Sequence, residues 1–118
     1  LLKECKEKYL KLLLKDGKDY SNYTECICSN PNDYVDILKE YIKKHNIIPD
    51  DYCMKDALNS DNVKIVKFLY QEFNSRPSYN LLTDALYISK SMKSLEMLQE
   101  IGYIKLYYEG SLMKLYIL

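Results

Sequence analysis

Tryptophan is absent from the 118 residues, glycine and proline occur three times each, and there is one histidine. So few glycines leave no room for a loop that cradles phosphates, and no His-Glu-x-x-His or paired-carboxylate signature occurs. His45 has no identified Ser or Cys partner, which makes it a poor general base. Charge of one sign is lacking too, since 17 basic and 17 acidic side chains cancel. A nucleic-acid partner calls for a basic surplus that this balance does not supply. No apolar run approaches the roughly 20 residues that span a bilayer. No secretory signal opens the chain, although it begins on Leu1 rather than Met, which reads as a segment of a longer protein. The expectations are no catalytic residues, no cofactor, no metal, no nucleic acid, no membrane and a cytoplasmic address.

What is present is a repeat. Leu12-Leu13-Leu14-Lys15-Asp16-Gly17 and Met97-Leu98-Gln99-Glu100-Ile101-Gly102 are apolar helical ends that stop on glycine. The interval between them divides into steps of about 28 residues, with weaker copies at Tyr41 and Leu69. Val35, Ile37, Leu38, Lys39 and Tyr41 line up with Val63, Ile65, Val66, Lys67 and Leu69: apolar on apolar, with a single lysine on lysine. Met92, Leu95, Met97 and Leu98 form the next copy, and Leu10 and Leu13 the one upstream. These spacings place one apolar stripe on each helix. Gly17, His45-Asn46, Phe73-Asn74 and Gly102 close the copies, and Gly and Asn are the residues that most readily turn left-handed after a helix.

A shorter helix precedes each longer one. Asp56-Ala57-Leu58 before Asn59-Ser60-Asp61-Asn62 recurs as Asp84-Ala85-Leu86 before Ser89-Lys90-Ser91. The small residue suits close antiparallel packing, and the polar cluster makes the turn. In the first copy Ser29 stands at the alanine position, and Asn30-Pro31-Asn32-Asp33 makes the turn. Asn32-Asp33 and Asp50-Asp51 place acidic residues where they would cap the helices that follow.

The stretch from Ala57 to Leu69 resembles the middle of an ankyrin repeat: an alanine in the first helix, a polar turn, then Val63-Lys64-Ile65-Val66-Lys67-Phe68-Leu69 as the second helix. Leu12 to Asp19 is similar to the family's second-helix ending. The likeness extends from about Lys8 to Leu118. The family's Thr-Pro-Leu-His opening is missing, Asp33, Asp61 and Lys90 replace the glycine between the helices, and about five residues are missing from the usual 33. Short, degenerate copies of this kind look like those of large DNA viruses and protists, which fits a composition rich in Lys, Asn, Ile and Tyr. The resemblance implies an all-α solenoid of helix-turn-helix units of about 28 residues. The second helix of a first repeat is expected over 1–17, repeats over about 22–45, 51–74 and 79–102, and a partial repeat over 106–118. It also implies a module that binds another protein, a viral or pathogen protein meeting a host factor, with no chemistry of its own. Leu112 to Leu118 is too apolar for a capping unit, so this end is expected to pack on something or to continue.

Thirteen tyrosines supply candidate contacts, because a rigid ring with a polar tip gives contact area at low entropic cost. Tyr9 and Tyr41 fall on the apolar stripe. Tyr20, Tyr23, Tyr52, Tyr79, Tyr103 and Tyr107 fall between helices and are the candidate partner-binding residues. Cys26, Cys28, His45 and Cys53 offer an alternative, a zinc-binding helical protein. Two residues along a helix rotate side chains about 200° apart, however, so Cys26 and Cys28 face different ways. The simpler reading has Cys26 packing inward, at the place of Met54 and Leu82, with Cys28 incidental. A further alternative is a structural segment of a larger protein.

Overall fold

A computed structural model describes residues 20–118, with the side chains of 20–23 left aside. The second helix expected over 1–17 lies outside the described residues, as does Tyr9. Six helices come first: α1 (Tyr20–Ser29), α2 (Val35–His45), α3 (Asp51–Asn59), α4 (Val63–Glu72), α5 (Tyr79–Tyr87) and α6 (Met92–Glu100). Two strands follow, β1 (Ile104–Glu109) and β2 (Leu112–Ile117).

The apolar stripes bury as their spacing dictates. Ile37, Leu38, Tyr41 and Ile42 of α2, Ile65, Val66 and Leu69 of α4, and Leu95, Met97 and Leu98 of α6 are all buried. Each such side chain contributes about 1.5–3 kcal/mol of transfer free energy. The first helices meet them with Ile27, Cys28, Met54, Ala57, Leu58, Leu82 and Ala85. Within each pair the helices pack on one another. Between pairs, α1 packs on α3 and α3 on α5, while α2 packs on α4 and α4 on α6. Ala57 and Ala85 are fully buried where the first helices approach, as a small residue there requires.

The ends of the pairs are built alike. Asn46, Asn74 and Gly102 have φ of 51°, 53° and 89°, and the chain leaving each second helix donates back to it: Ile47 N to Ile42 O, Ser75 N to Leu69 O, Tyr103 N to Leu98 O. The turns inside the pairs place Asp33, Asp61 and Lys90 at φ of 53°, 53° and 54°. These are the positions where the ankyrin pattern has glycine.

Polar side chains then join one pair to the next. Buried Asn62 donates to Asn30 O at 2.8 Å and to Cys28 O, and buried Ser91 donates to Leu58 O. Ser60 Oγ donates to Ser29 O at 3.0 Å, and Ser89 Oγ to Asn59 Oδ1 at 3.0 Å. Asp33 does not cap its own helix. Its carboxylate accepts from Lys64 N at 3.0 Å and Ile65 N at 3.2 Å, capping α4 in the next pair. Asp61 repeats the device on α6 by accepting from Ser94 N at 2.8 Å. Asp50 does cap its own helix, accepting from Tyr52 N and Cys53 N at 3.1 and 3.3 Å.

The expected all-α solenoid is overturned at its last unit. Residues 104–117 form an antiparallel hairpin in register Ile104↔Ile117, Leu106↔Leu115 and Tyr108↔Met113. Gly110-Ser111 makes the turn, with φ of 65° at Gly110 and no positive φ at Ser111, the pattern of a type II′ turn. The physical reason lies in composition. Ile104, Tyr107 and Tyr108 in β1 and Tyr116 and Ile117 in β2 are β-branched or aromatic, which suits a half-buried pleated surface. Ile104 and Leu115 bury against the helices, β1 packs on α6 and β2 on α5. Leu115 and partly buried Met113 of the C-terminal run thus pack on the last helix pair, while Leu112, Tyr116, Ile117 and Leu118 stay exposed, and the fold mixes helix pairs with a small sheet.

Candidate functional site

The loops leading into the first helices share one edge of the molecule. Ile48 precedes α3 and Arg76 precedes α5, one repeat step apart in sequence. Between the starts of α3 and α5 lies an open cleft of about 150 Å³ whose lining includes Asp51, Met54, Arg76, Pro77 and Leu81. Tyr52 and Tyr79 occupy the first turns of α3 and α5 beside it and are 59% and 54% exposed, while Ile48 is 83% exposed. Asp50 and Ser78 fix those turns by capping, with Ser78 Oγ accepting from Leu81 N at 3.3 Å. Large apolar side chains held in water by capped helix ends are costly to display, and they become useful once a partner covers them.

The candidate tyrosines part company here. Tyr52 and Tyr79 project at the edge, in helical first turns rather than in loops. Tyr103 is structural: its hydroxyl donates to Pro77 O at 2.6 Å and its ring meets Tyr70 edge-on at 5.5 Å. Arg76 completes the stack 3.4 Å from the Tyr70 centroid, donating to Tyr70 O at 2.8 Å. Burial pushes the Tyr103 hydroxyl above its ordinary pKa, partly opposed by the Arg76 cation. Tyr107 lies in β1 rather than in a loop, on the hairpin face that points away from the helices, with its ring 5.6 Å from that of Tyr116. Tyr20 and Tyr23 fall in α1, their side chains outside the described set. Tyr41 is buried, as its place on the stripe implies. Ile48 and Arg76 escape a reading of the sequence that looks for tyrosines. Their signal is the pair of prolines one residue on, Pro49 and Pro77, which mark where the chain passes from one pair to the next.

The cysteines form no such surface. Cys28 is not incidental: it is fully buried and part of the core, whereas Cys26 is the less buried of the two. A hydrogen bond with the Cys53 thiol, together with burial, holds the Cys28 thiol well above its ordinary pKa. His45 sits at the end of α2 with its ring 4.8 Å from that of Tyr41. Among the described residues no group of three or more His, Cys, Asp or Glu side chains is placed to hold a metal ion. No described helix is long and apolar enough to cross a membrane.

No protein-family model matches the chain, and neither does any curated protein or solved structure.

Proposed function

We propose that this chain is a protein-binding module, without chemistry of its own, that meets its partner along the edge where Ile48, Tyr52 and Tyr79 project. The observation that carries the reading is the alignment of these exposed apolar side chains at the entrances of successive helix pairs. The likeness of Ala57 to Leu69 to an ankyrin repeat supports it, because stacked helix pairs offer a rigid platform with little ordering cost on binding. The cleft beside the two tyrosines, at about 150 Å³, is small for a metabolite, whose pockets run to about 300–1,000 Å³. It suits one anchoring side chain of a protein partner.

The test is quantitative affinity capture with the wild-type chain and with the Tyr52→Ala/Tyr79→Ala double variant. Partners specific to the wild type should be depleted about tenfold or more, as loss of a central aromatic contact implies. Both positions are exposed, so melting temperatures should agree within a few degrees and exclude unfolding as the cause. An unchanged capture profile would remove the edge as the interface.

A further inference from the structure

The second helices carry a different surface. Between α2 and α4 runs an open groove of about 250 Å³ whose lining includes Val35, Lys39, Lys64, Lys67, Phe68 and Glu72. Phe68 is half-buried and forms apolar floor with Val35. Lys39 reaches across from α2 to place Nζ 5.4 Å from the Phe68 centroid, a cation over the ring face. Lys64 and Lys67 stand three residues apart on α4, which puts them on one side of that helix, and both are exposed.

The charge of this groove is not balanced from within. Against three lysines there is one carboxylate in the lining, Glu72, and it sits at the far end of α4. Among the described residues the ion pair is Lys114–Glu109, in the hairpin, so none of the three groove lysines is paired. Asp33, the acid in the turn before α2, accepts from the Lys64 and Ile65 amides at the start of α4, where its charge offsets part of the lysine surplus without cancelling it. Like charges brought together on neighbouring helix positions oppose one another. An anionic ligand would relieve that repulsion.

We propose that this groove docks an acidic peptide segment bearing an apolar side chain. Carboxylates would lie over Lys39, Lys64 and Lys67, and the apolar side chain would rest on Phe68. Glu72 repels acids at one end and so orients the segment. The apolar floor favours a peptide over a sugar-phosphate chain, whose backbone offers nothing to rest on Val35 and Phe68. This surface is independent of the Tyr52–Tyr79 edge, on other helices.

The experiment is fluorescence anisotropy on the full chain with a fluorescein-labelled Asp-Glu-Phe-Asp-Glu peptide at about 50 and 300 mM salt, which spans the onset of strong screening. Saturable binding is expected, weakening several-fold at the higher salt. Binding should fall about tenfold or more in Lys64→Glu/Lys67→Glu, as expected when attraction by two charges becomes repulsion. The amide version, Asn-Gln-Phe-Asn-Gln, should not bind. Circular dichroism should show the variant folded, as both lysines are exposed. The Tyr52→Ala/Tyr79→Ala variant should bind the peptide unchanged, which separates this proposal from the edge interface. Binding that survives the double charge reversal would overturn the groove, and so would no saturable binding. Tighter binding of a ten-residue oligothymidine or of phosphatidylserine vesicles than of the peptide would overturn the peptide assignment.

Discussion

The helix pairs and the hairpin are held to their neighbours in different ways. Each helix pair is joined to the one before it by side chains that bond to main chain: Asn62 and Ser91 at equivalent turns, Asp33 and Asp61 capping helices in the next pair. Such bonds are made one repeat step apart and depend on few residue identities. The hairpin's side-chain bonds to main chain lie nearer water. The hairpin itself is held by apolar Ile104 and Leu115, by Tyr87 Oη donating to Met113 O at 2.8 Å, and by Leu106 N donating to Gln99 Oε1 at 2.7 Å. A side chain that satisfies buried carbonyls is expensive to remove, whereas apolar contact with an open edge is lost by degrees. The pairs should therefore behave as one cooperative unit and the hairpin as its weaker extension.

The sharpest way to break the comparison is at the joints. Asn62→Ala leaves the carbonyls of Cys28 and Asn30 without their buried donor, and should cost about 2–4 kcal/mol. Ser91→Ala removes one bond, to Leu58 O, and should cost about 1–2 kcal/mol. Ser94 serves as an internal control, since its buried hydroxyl has no partner among the described residues. Ser94→Ala should be neutral or slightly stabilising. Urea denaturation measures all of them. An Asn62→Ala loss no larger than that of Ser94→Ala would show that the joints are not what binds the pairs together.

Smaller effects come from the left-handed residues. Gly110→Ala meets no atom within 4 Å, so its cost is that of the backbone at φ 65° alone, about 1 kcal/mol. It should appear as faster amide exchange in β1 and β2, with the helix pairs unchanged. Lys90→Gly should stabilise by about 0.5–1 kcal/mol, because Lys90 holds φ 54° without the capping role that Asp33 and Asp61 play. Equal loss of protection in hairpin and helices on Gly110→Ala would mean the two regions unfold together.

These positions also show how far the sequence can be read. The stripe from Val35 to Ile42 and its copy from Val63 to Leu69 are legible because burial on one helical face imposes a periodicity. The helix ends are legible because few residues accept positive φ, and Asn46, Asn74 and Gly102 take it. The capping by Asp33 is not, since its carboxylate serves α4, 31 residues away, and sequence adjacency favours the nearer helix. Lys90 departs from the glycine of the ankyrin pattern, but its meaning is positional. A lysine cannot cap a following helix, and the chain after α6 makes strands instead. The hairpin is hidden because Leu112 to Leu118 is apolar enough to continue a helical stripe. Gly110-Ser111, a turn pair between two apolar runs that carry Tyr107, Tyr108, Tyr116 and Ile117, is the contrary signal. The α2–α4 groove has only the lysine pair Lys39 and Lys67 to announce it, and a repeated lysine on a helix is ordinarily solvated surface.

The finest probe of the boundary is Tyr103, which belongs to both regions. Its amide closes α6 by donating to Leu98 O, its carbonyl accepts from Leu118 N at 3.0 Å, and its hydroxyl reaches Pro77 O at the entrance of α5. Burial raises its pKa, so the folded protein holds the phenolic proton more tightly than the unfolded chain does. By linkage that contribution is complete below the unfolded value of about 10 and is lost as pH rises through the higher folded value. Wild type should therefore exceed Tyr103→Phe in stability at pH 8 by about 0.5–1.5 kcal/mol, the worth of one hydrogen bond. The gap should narrow as pH passes about 10, where wild type must ionise the group or forgo part of its stability. Urea midpoints for both proteins across that range measure the difference, and titration common to the other tyrosines cancels in it. A gap that stays constant with pH would mean the hydroxyl is not held by Pro77 O, and Tyr87 and Gln99 would then carry the side-chain bonding between the hairpin and the helix pairs.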